Sequence, residues 1–99
     1  MAKITNKQAW MHINSRAPFT NSTGSFRGTE QFASHGILPE GWRAVLDRDM
    51  EAGEVVFYVY SYHTPIAWYL STGKWVVPPV KYSSTTSRHQ TEARRGANW

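Results

Sequence analysis

Side chains that can exchange protons are concentrated between residues 58 and 90. Five consecutive hydroxyl-bearing residues occupy positions 83–87, and His89 follows two positions later. A histidine beside a serine, threonine or tyrosine hydroxyl is the minimum for acid–base or nucleophilic chemistry. The arrangement that the sequence offers has His63 or His89 as the acid–base group, with Tyr62, Thr85 or Thr86 beside it.

The surrounding sequence nevertheless favours a binding protein over an enzyme. The aromatic half of the chain is poor in carboxylates, and it holds neither a nucleophile elbow nor an acid placed to orient a histidine. A hydroxyl run that follows a strand is more often used for turns and helix caps. We therefore predict a protein without catalytic activity and keep the histidine–hydroxyl enzyme as an alternative.

The sequence predicts neither a metal site nor a cofactor. Asp47 and Asp49 resemble the opening of a calcium loop, but Ala52 stands where such a loop needs glycine. The four histidines are not spaced three or four apart, and there is no cysteine. Residues 21–28 contain two glycines and an arginine without the spacing of a phosphate-binding loop.

Aromatic and basic side chains alternate through the second half of the chain. Three tyrosines recur at every second position from residue 58, so they share one face of a strand. Rings that stack on bases, together with cations along the backbone, are typical of single-stranded nucleic-acid binding. The predicted binding residues are Tyr58, Tyr60, Tyr62, His63, Lys74, Lys81, Tyr82, Thr85, Thr86, Arg88 and His89.

Two other interpretations of the aromatic residues stay open. A small domain without disulfides needs large rings in its core, and we expect Phe57, Trp68 and Trp75 to serve there. Exposed tyrosine and tryptophan also dominate protein interfaces. The predicted partner is therefore a nucleic acid or, as an alternative, another protein, and the sequence leaves the oligomeric state open.

The net charge of +4 is unevenly distributed. Residues 1–80 carry seven basic and six acidic residues, whereas residues 81–99 carry four basic residues and one acidic residue. A basic C-terminal segment on a nearly neutral domain is typical of a protein that binds an anionic partner. The alternative is a solvated tail whose charge is incidental.

The hydrophobic pattern predicts an α+β domain. Apolar spacing and a capping box at Thr5 indicate a helix over 6–14, and Pro39 opens a second helix over 39–50. Three strands form an antiparallel sheet spanning 54–78, with a short turn at Gly73. A short third helix over 88–95 is compatible with the sequence but would need to dock in order to be stable.

The chain is expected to form one domain over residues 1–99. Residues 15–36 follow no period and are predicted to be a long loop that three phenylalanines attach to the core. Residues 91–99 are expected to be a disordered tail unless the third helix docks. The sequence lacks an 18-residue apolar run and a secretory signal, which predicts no membrane association and a cytosolic location.

The sequence does not indicate that residues 85–90, called the string 85–90 below, form a disordered tail. Three successive hydroxyls cannot all cap one helix, and an aromatic residue, Tyr82, leads into them. We predict that this string is ordered and folded back beside the strand that ends at Tyr62 and His63. Its hydroxyls would then satisfy the edge of the sheet or loop backbone, and Arg88 would stay at the surface.

The same half of the chain resembles a family of small actinobacteriophage proteins of unknown function. The similarity rests on three segments, 62–68 with its TPIAW string, 75–78, and 82–90 with its TTSRHQ string. A looser similarity covers 18–28. The resemblance implies phage origin and the cytoplasm of an infected bacterium, and it transfers no catalytic or binding residue.

Overall fold

The computed structural model describes residues 2–98, and it places helices on both faces of one six-stranded sheet. A 3-10 turn, Asn6–Gln8, leads directly into the first helix. The strands are β1 (Ala2–Ile4), β2 (Phe19–Asn21), β3 (Phe26–Thr29), β4 (Val55–Ser61), β5 (Thr64–Leu70) and β6 (Trp75–Val76), and the helices are α1 (Ala9–Ser15), α2 (Glu40–Glu51) and α3 (Ser84–Ala97).

The strands lie side by side in the order in which they occur in the chain. Strands β1 and β2 are parallel, and every other neighbouring pair is antiparallel. A parallel pair needs a long crossover, and residues 5–18, which contain the 3-10 turn and α1, provide it. The fold class is therefore α+β with a mixed sheet.

Two hydrophobic clusters lie on opposite faces of the sheet. On one face, α1 and α3 pack on Phe57 and Val59 of β4. On the other face, α2 packs on Tyr58 and Tyr60 of the same strand, and this cluster takes its sheet residues from β4, β5 and β6. From Phe57 to Tyr60 the strand alternates as predicted and helices cover both faces, whereas Val56 is exposed and Tyr62, predicted on the tyrosine face, lies in the turn after β4.

The predicted three-stranded sheet is half of the sheet that forms. Strands β4, β5 and β6 correspond to it, whereas β1, β2 and β3 were not predicted. The long loop predicted over 15–36 was wrong, since it contains β2 and β3. These strands are three and four residues long and are rich in polar side chains. Their only apolar anchors are Phe19 and Phe26, which are fully buried.

The predicted helices form, with changes at their ends. The 3-10 turn and α1 together cover the predicted 6–14, and α2 differs from the predicted 39–50 by one residue at each end. The third helix begins earlier than the predicted residue 88 because Ser83 is its N-cap and accepts from the Thr86 amide. The helix continues to Ala97, so residues 91–97 are not a disordered tail, and residue 99 lies outside the described residues.

The β4–β5 hairpin holds Tyr62 in an unusual backbone conformation. Only two residues, Tyr62 and His63, connect the strands, and Tyr62 has a left-handed φ of 56°. Its amide donates to the Ser25 carbonyl, 2.7 Å away, in the turn between β2 and β3. A non-glycine residue in this region of backbone space is uncommon and clusters at functional positions.

Within residues 2–98, each helix is too short or too polar to cross a bilayer.

Candidate functional site

Four polar side chains form a continuous hydrogen-bonded chain where α3 begins. Ser83 donates from its hydroxyl to Thr86 Oγ1, 3.2 Å away. Thr86 Oγ1 lies 2.9 Å from Ser61 Oγ, at the end of β4, and Ser61 Oγ lies 2.7 Å from His89 Nδ1. The predicted folding of the string 85–90 beside the end of β4 is therefore correct, and it occurs through the first two turns of α3.

One direction of donation gives every hydroxyl proton of this chain an acceptor. Ser83 Oγ accepts from the Thr86 amide as the helix cap and donates its own hydrogen to Thr86 Oγ1. In this arrangement Thr86 donates to Ser61, and Ser61 donates to Nδ1 of His89. Because a neutral imidazole has one N–H and one acceptor nitrogen, the proton of His89 is on Nε2.

His89 is fully buried and therefore neutral at physiological pH. Its ring stacks on Phe26, with ring centroids 4.3 Å apart and planes 11° from parallel. Burial lowers the pKa of His89 to about 4, since the imidazolium would lose its hydration. Nε2 finds no hydrogen-bond partner among residues 2–98.

A second cluster lies at the surface on the hairpin turn. A groove there is lined by Tyr62, His63 and Arg27, together with the β2–β3 turn at Thr23, Gly24 and Ser25. The side chain of Tyr62 is 50% exposed. The Arg27 guanidinium lies over the Tyr60 ring, 4.6 Å from its centroid. This stacking keeps a cation at the sheet surface next to an exposed aromatic ring.

Arg27 belongs to a polar row that crosses the sheet. Lys3 lies opposite Thr20, Thr20 opposite Arg27, and Arg27 opposite Tyr60. Residues directly opposite on neighbouring strands share a face, so the row lies on the face that carries α2. The cluster under α2 reaches only β4 to β6. The β1–β3 half of this face, called the open sheet face below, is left with Lys3 exposed and Arg27 half-buried.

The predicted binding residues do not lie on one surface. Tyr58 and Tyr60 are buried under α2, which corrects the expectation of a wet tyrosine face, and burial raises the pKa of both phenols. Thr86 and His89 are also buried, and Tyr82 is half-buried. The exposed members of the prediction are Tyr62, His63, Lys74, Lys81, Thr85 and Arg88.

The two histidines of the alternative catalytic arrangement lie in different environments. His63 is exposed in the hairpin turn, whereas His89 is buried and bonded to Ser61 rather than to Tyr62, Thr85 or Thr86. Lys74 lies apart from both, beside α2 in a groove lined by Trp42 and Arg48. His63, Tyr62 and Thr86 do line one groove, but among residues 2–98 neither histidine is hydrogen-bonded to Tyr62, Thr85 or Thr86.

The acidic residues that resemble a calcium loop have structural partners instead. Asp47 lies 2.7 Å from His35 Nε2, and Asp49 accepts from the indole of the buried Trp68 at 3.0 Å. In the part of the chain that the structure describes, no three His, Asp or Glu side chains form a group that could hold a metal ion.

Sequence reasoning missed Ser61, Arg27 and Asn21. Ser61 is the central hydroxyl of the buried chain, but a serine at the end of a strand carries no signal of its own. Asn21 is buried, and its side chain donates to Asn6 and Ser25 while accepting from the Phe26 amide. A polar residue between Phe19 and Phe26 would have been informative only if β2 and β3 had been recognised.

Thr86 supports the buried hydroxyl chain, so its hydroxyl should be needed for stability. We expect Thr86→Val to lower the free energy of unfolding by about 1–3 kcal/mol, because Ser83 and Ser61 both lose a partner while the shape of the side chain is retained. Thr85→Val, at the exposed neighbouring position, should change it by less than about 0.5 kcal/mol. Denaturant unfolding measures the free energy of unfolding of both variants. If Thr86→Val lowers it no more than Thr85→Val does, the hydroxyl chain adds no stability.

Comparison with known proteins identifies a family but no activity. Residues 3–98 match the family model described as a family of unknown function, DUF8033. Neither a curated protein nor a solved structure matches the chain. Since the match covers nearly the whole sequence, the chain belongs to DUF8033, a family of unknown function.

Proposed function

We propose that this protein binds single-stranded nucleic acid without catalysing a reaction. The strand would cross the open sheet face at Lys3 and Arg27, and a base would stack on Tyr62. The observation that carries the proposal is Tyr62, a half-exposed ring fixed in a left-handed backbone conformation next to Arg27 and His63. An aromatic platform beside a cation is the usual means of holding a single strand.

The distribution of charge supports a polyanionic ligand on this part of the molecule. Residues 40–54, which contain α2, hold five of the seven acidic residues and only two of the eleven basic residues. The rest of the chain therefore has nine basic and two acidic residues. Such an asymmetry attracts an anionic strand to the surfaces away from α2. Arg27 has already lost side-chain freedom to its stacking on Tyr60, so binding costs it less entropy.

The resemblance to actinobacteriophage proteins supplies the setting of the proposal. On this resemblance we propose that the protein acts in the cytoplasm of an infected bacterium, where its ligand would be single-stranded DNA or messenger RNA. Geometry favours a single strand over a duplex, because a ring can stack on a base only where the base is not already stacked on both sides.

Binding to a labelled single-stranded oligonucleotide, measured by fluorescence anisotropy, tests this function. Affinity should fall steeply as salt is raised, because bound cations release counterions from the strand. Arg27→Gln should lower affinity at every sequence tested and reduce the salt slope by about 1. Arg48→Gln, on α2 among the acidic residues, is the matched control and should leave both quantities unchanged.

Substitutions of Tyr62 separate stacking from simple apolar contact. Tyr62→Phe should retain binding, whereas Tyr62→Leu should lose about 1–3 kcal/mol of binding free energy, the contribution of one stacked base. Both variants keep a large apolar side chain at the same backbone position. Absence of oligonucleotide binding at low salt, or equal binding by Phe and Leu variants, would contradict the proposal.

A host protein is the second candidate partner, and one groove favours it. Ile37 is 70% exposed and lines a groove with Tyr62 and the half-buried Tyr82, so apolar surface is concentrated there. Apolar and aromatic anchors of this kind are typical of protein interfaces. Such an interface would respond weakly to salt. Capture of a bacterial protein from nuclease-treated lysate, abolished by Ile37→Asp, would support this alternative.

A further inference from the structure

His89, whose buried Nε2 has no hydrogen-bond partner among residues 2–98, lines a polar cleft. The cleft, about 570 Å³, lies between the 3-10 turn, the β2–β3 turn and the beginning of α3. His89 lines it, whereas Ser61, which is bonded to Nδ1, lines the neighbouring groove. Because Nδ1 is already bonded to Ser61, Nε2 is the imidazole nitrogen that is left to bond a group bound in the cleft.

The inference takes Nε2 as a donor. When Ser83, Thr86 and Ser61 each donate once towards Nδ1, every hydroxyl proton of the chain has an acceptor and the hydrogen of His89 is on Nε2. This N–H is buried and has no acceptor among residues 2–98. A buried donor without an acceptor is destabilising, and native proteins rarely keep one unless a ligand, ion or water completes it.

The other groups around the cleft favour an anionic acceptor. Lys7 and Thr85 line it at the surface, and the lining contains no Asp or Glu. The first turn of α3, a helix of 14 residues, also lies here, and its free amides carry partial positive charge. Asn21 already donates to both Asn6 and Ser25, so these side chains shape the wall of the cleft.

We infer that this cleft binds a phosphate group, with Nε2–H of His89 donating to one phosphate oxygen and Lys7 and Thr85 contacting the others. The inference builds on the proposed function by assigning this cleft to a terminal phosphate of the bound strand. The β2–β3 turn connects the two places, since Thr23 and Ser25 line both this cleft and the groove at Tyr62. A free phosphate and a phosphate at the end of a strand present the same oxygens.

Nitrogen-15 NMR of the imidazoles tests the site itself. In the free protein His89 should show protonated Nε2 and unprotonated Nδ1. Inorganic phosphate should shift the Nε2 signal in a saturable manner, whereas sodium chloride at the same ionic strength should not. A proton on Nδ1, or equal response to the two salts, would overturn the inference. This readout needs no substitution, so it cannot be lost through misfolding.

Oligonucleotides with a phosphate at the 5′ end, at the 3′ end or at neither distinguish the source of the phosphate. We expect a gain of about tenfold or more in affinity for one of the two phosphorylated strands, the size of a charge-assisted hydrogen bond. Lys7→Gln, at an exposed position, should remove most of this gain, and Arg48→Gln should retain it.

The outcomes separate this inference from the proposed function. If all three strands bind equally and phosphate leaves Nε2 unchanged, the cleft is not a phosphate site, although the protein still binds nucleic acid. If no strand binds while inorganic phosphate shifts Nε2, the site is upheld for a free phosphate compound and the nucleic-acid function is wrong.

Discussion

Lowering the pH from about 7 to below 4 should cost the folded protein about 3 kcal/mol through His89 alone. The pKa of this histidine falls from its ordinary 6.5 to about 4 in the fold, because the ring is buried against Phe26. One pKa unit corresponds to about 1.4 kcal/mol of stability, which gives the stated magnitude.

The sign of this effect follows from which state binds the proton. Between pH 6.5 and pH 4 the histidine is protonated in the unfolded chain but neutral in the folded one. The unfolded state therefore binds more protons in this window, and stability rises with pH through it. At pH 7 the contribution of neutral His89 to the free energy of unfolding is fully present, and below about pH 4 it is lost.

Two histidine variants isolate this contribution from that of the carboxylates, which titrate in the same range. His89→Gln should be less stable at pH 7, but its stability should decline less between pH 6.5 and pH 4. His63→Gln, at the exposed hairpin turn, should follow the wild-type curve. Urea unfolding at a series of pH values measures all three, and parallel curves for wild type and His89→Gln would contradict the assignment.

The part of the fold formed by α2 and strands β4 to β6 was predictable from the sequence, whereas strands β1 to β3 were not. Strand β4 consists of β-branched and aromatic residues ending in a serine, and α2 has a clear amphipathic period with Gly53 as its stop, so local sequence was sufficient there. The turn at Gly73 was equally clear, and its φ of 93° confirms the prediction. These elements carry their own propensity and need little help from their neighbours.

Strands β1, β2 and β3 depend on partners that local sequence does not show. Gly28 illustrates this dependence: a Cβ at this position would lie 2.5 Å from the Phe19 ring and 2.7 Å from the Phe57 ring. The glycine in β3 is explained by contacts to two other strands, one of them 29 residues later in the sequence. From the sequence alone, this glycine is assigned to a loop.

The candidate site was predictable in its residue types and unpredictable in its geometry. The importance of Thr86 and His89 followed from the unusual density of hydroxyls, and each of the two is hydrogen-bonded to Ser61. Their connection through Ser61 required the register of β4 against α3. The mistake over Tyr58 and Tyr60 arose because a tyrosine hydroxyl was expected to prefer water, whereas Tyr60 accepts from the Ala33 amide at 2.7 Å beneath the loop before α2.

The same substitution should have opposite effects at two helical glycines. At Gly96, where α3 crosses α1, an added Cβ would lie 2.6 Å from the Ile13 Cβ and 2.7 Å from the Trp10 carbonyl oxygen. A backbone oxygen cannot move aside as a flexible side chain would, so the helices must separate. We expect Gly96→Ala to lower the free energy of unfolding by about 1–3 kcal/mol, as overpacking of a core does.

Gly41 is the matched control, since it lies in α2 with no atom within 4 Å of an added Cβ. Gly41→Ala should raise stability by up to about 1 kcal/mol, the difference in helix propensity between the two residues. Because the 3-10 turn that carries Lys7 leads directly into α1, moving α1 away from α3 should also widen the cleft at His89. Gly96→Ala should therefore weaken phosphate binding and Gly41→Ala should not. If Gly96→Ala were as stable as the wild type and bound phosphate equally, close contact of the two helices would not be what holds the cleft in shape.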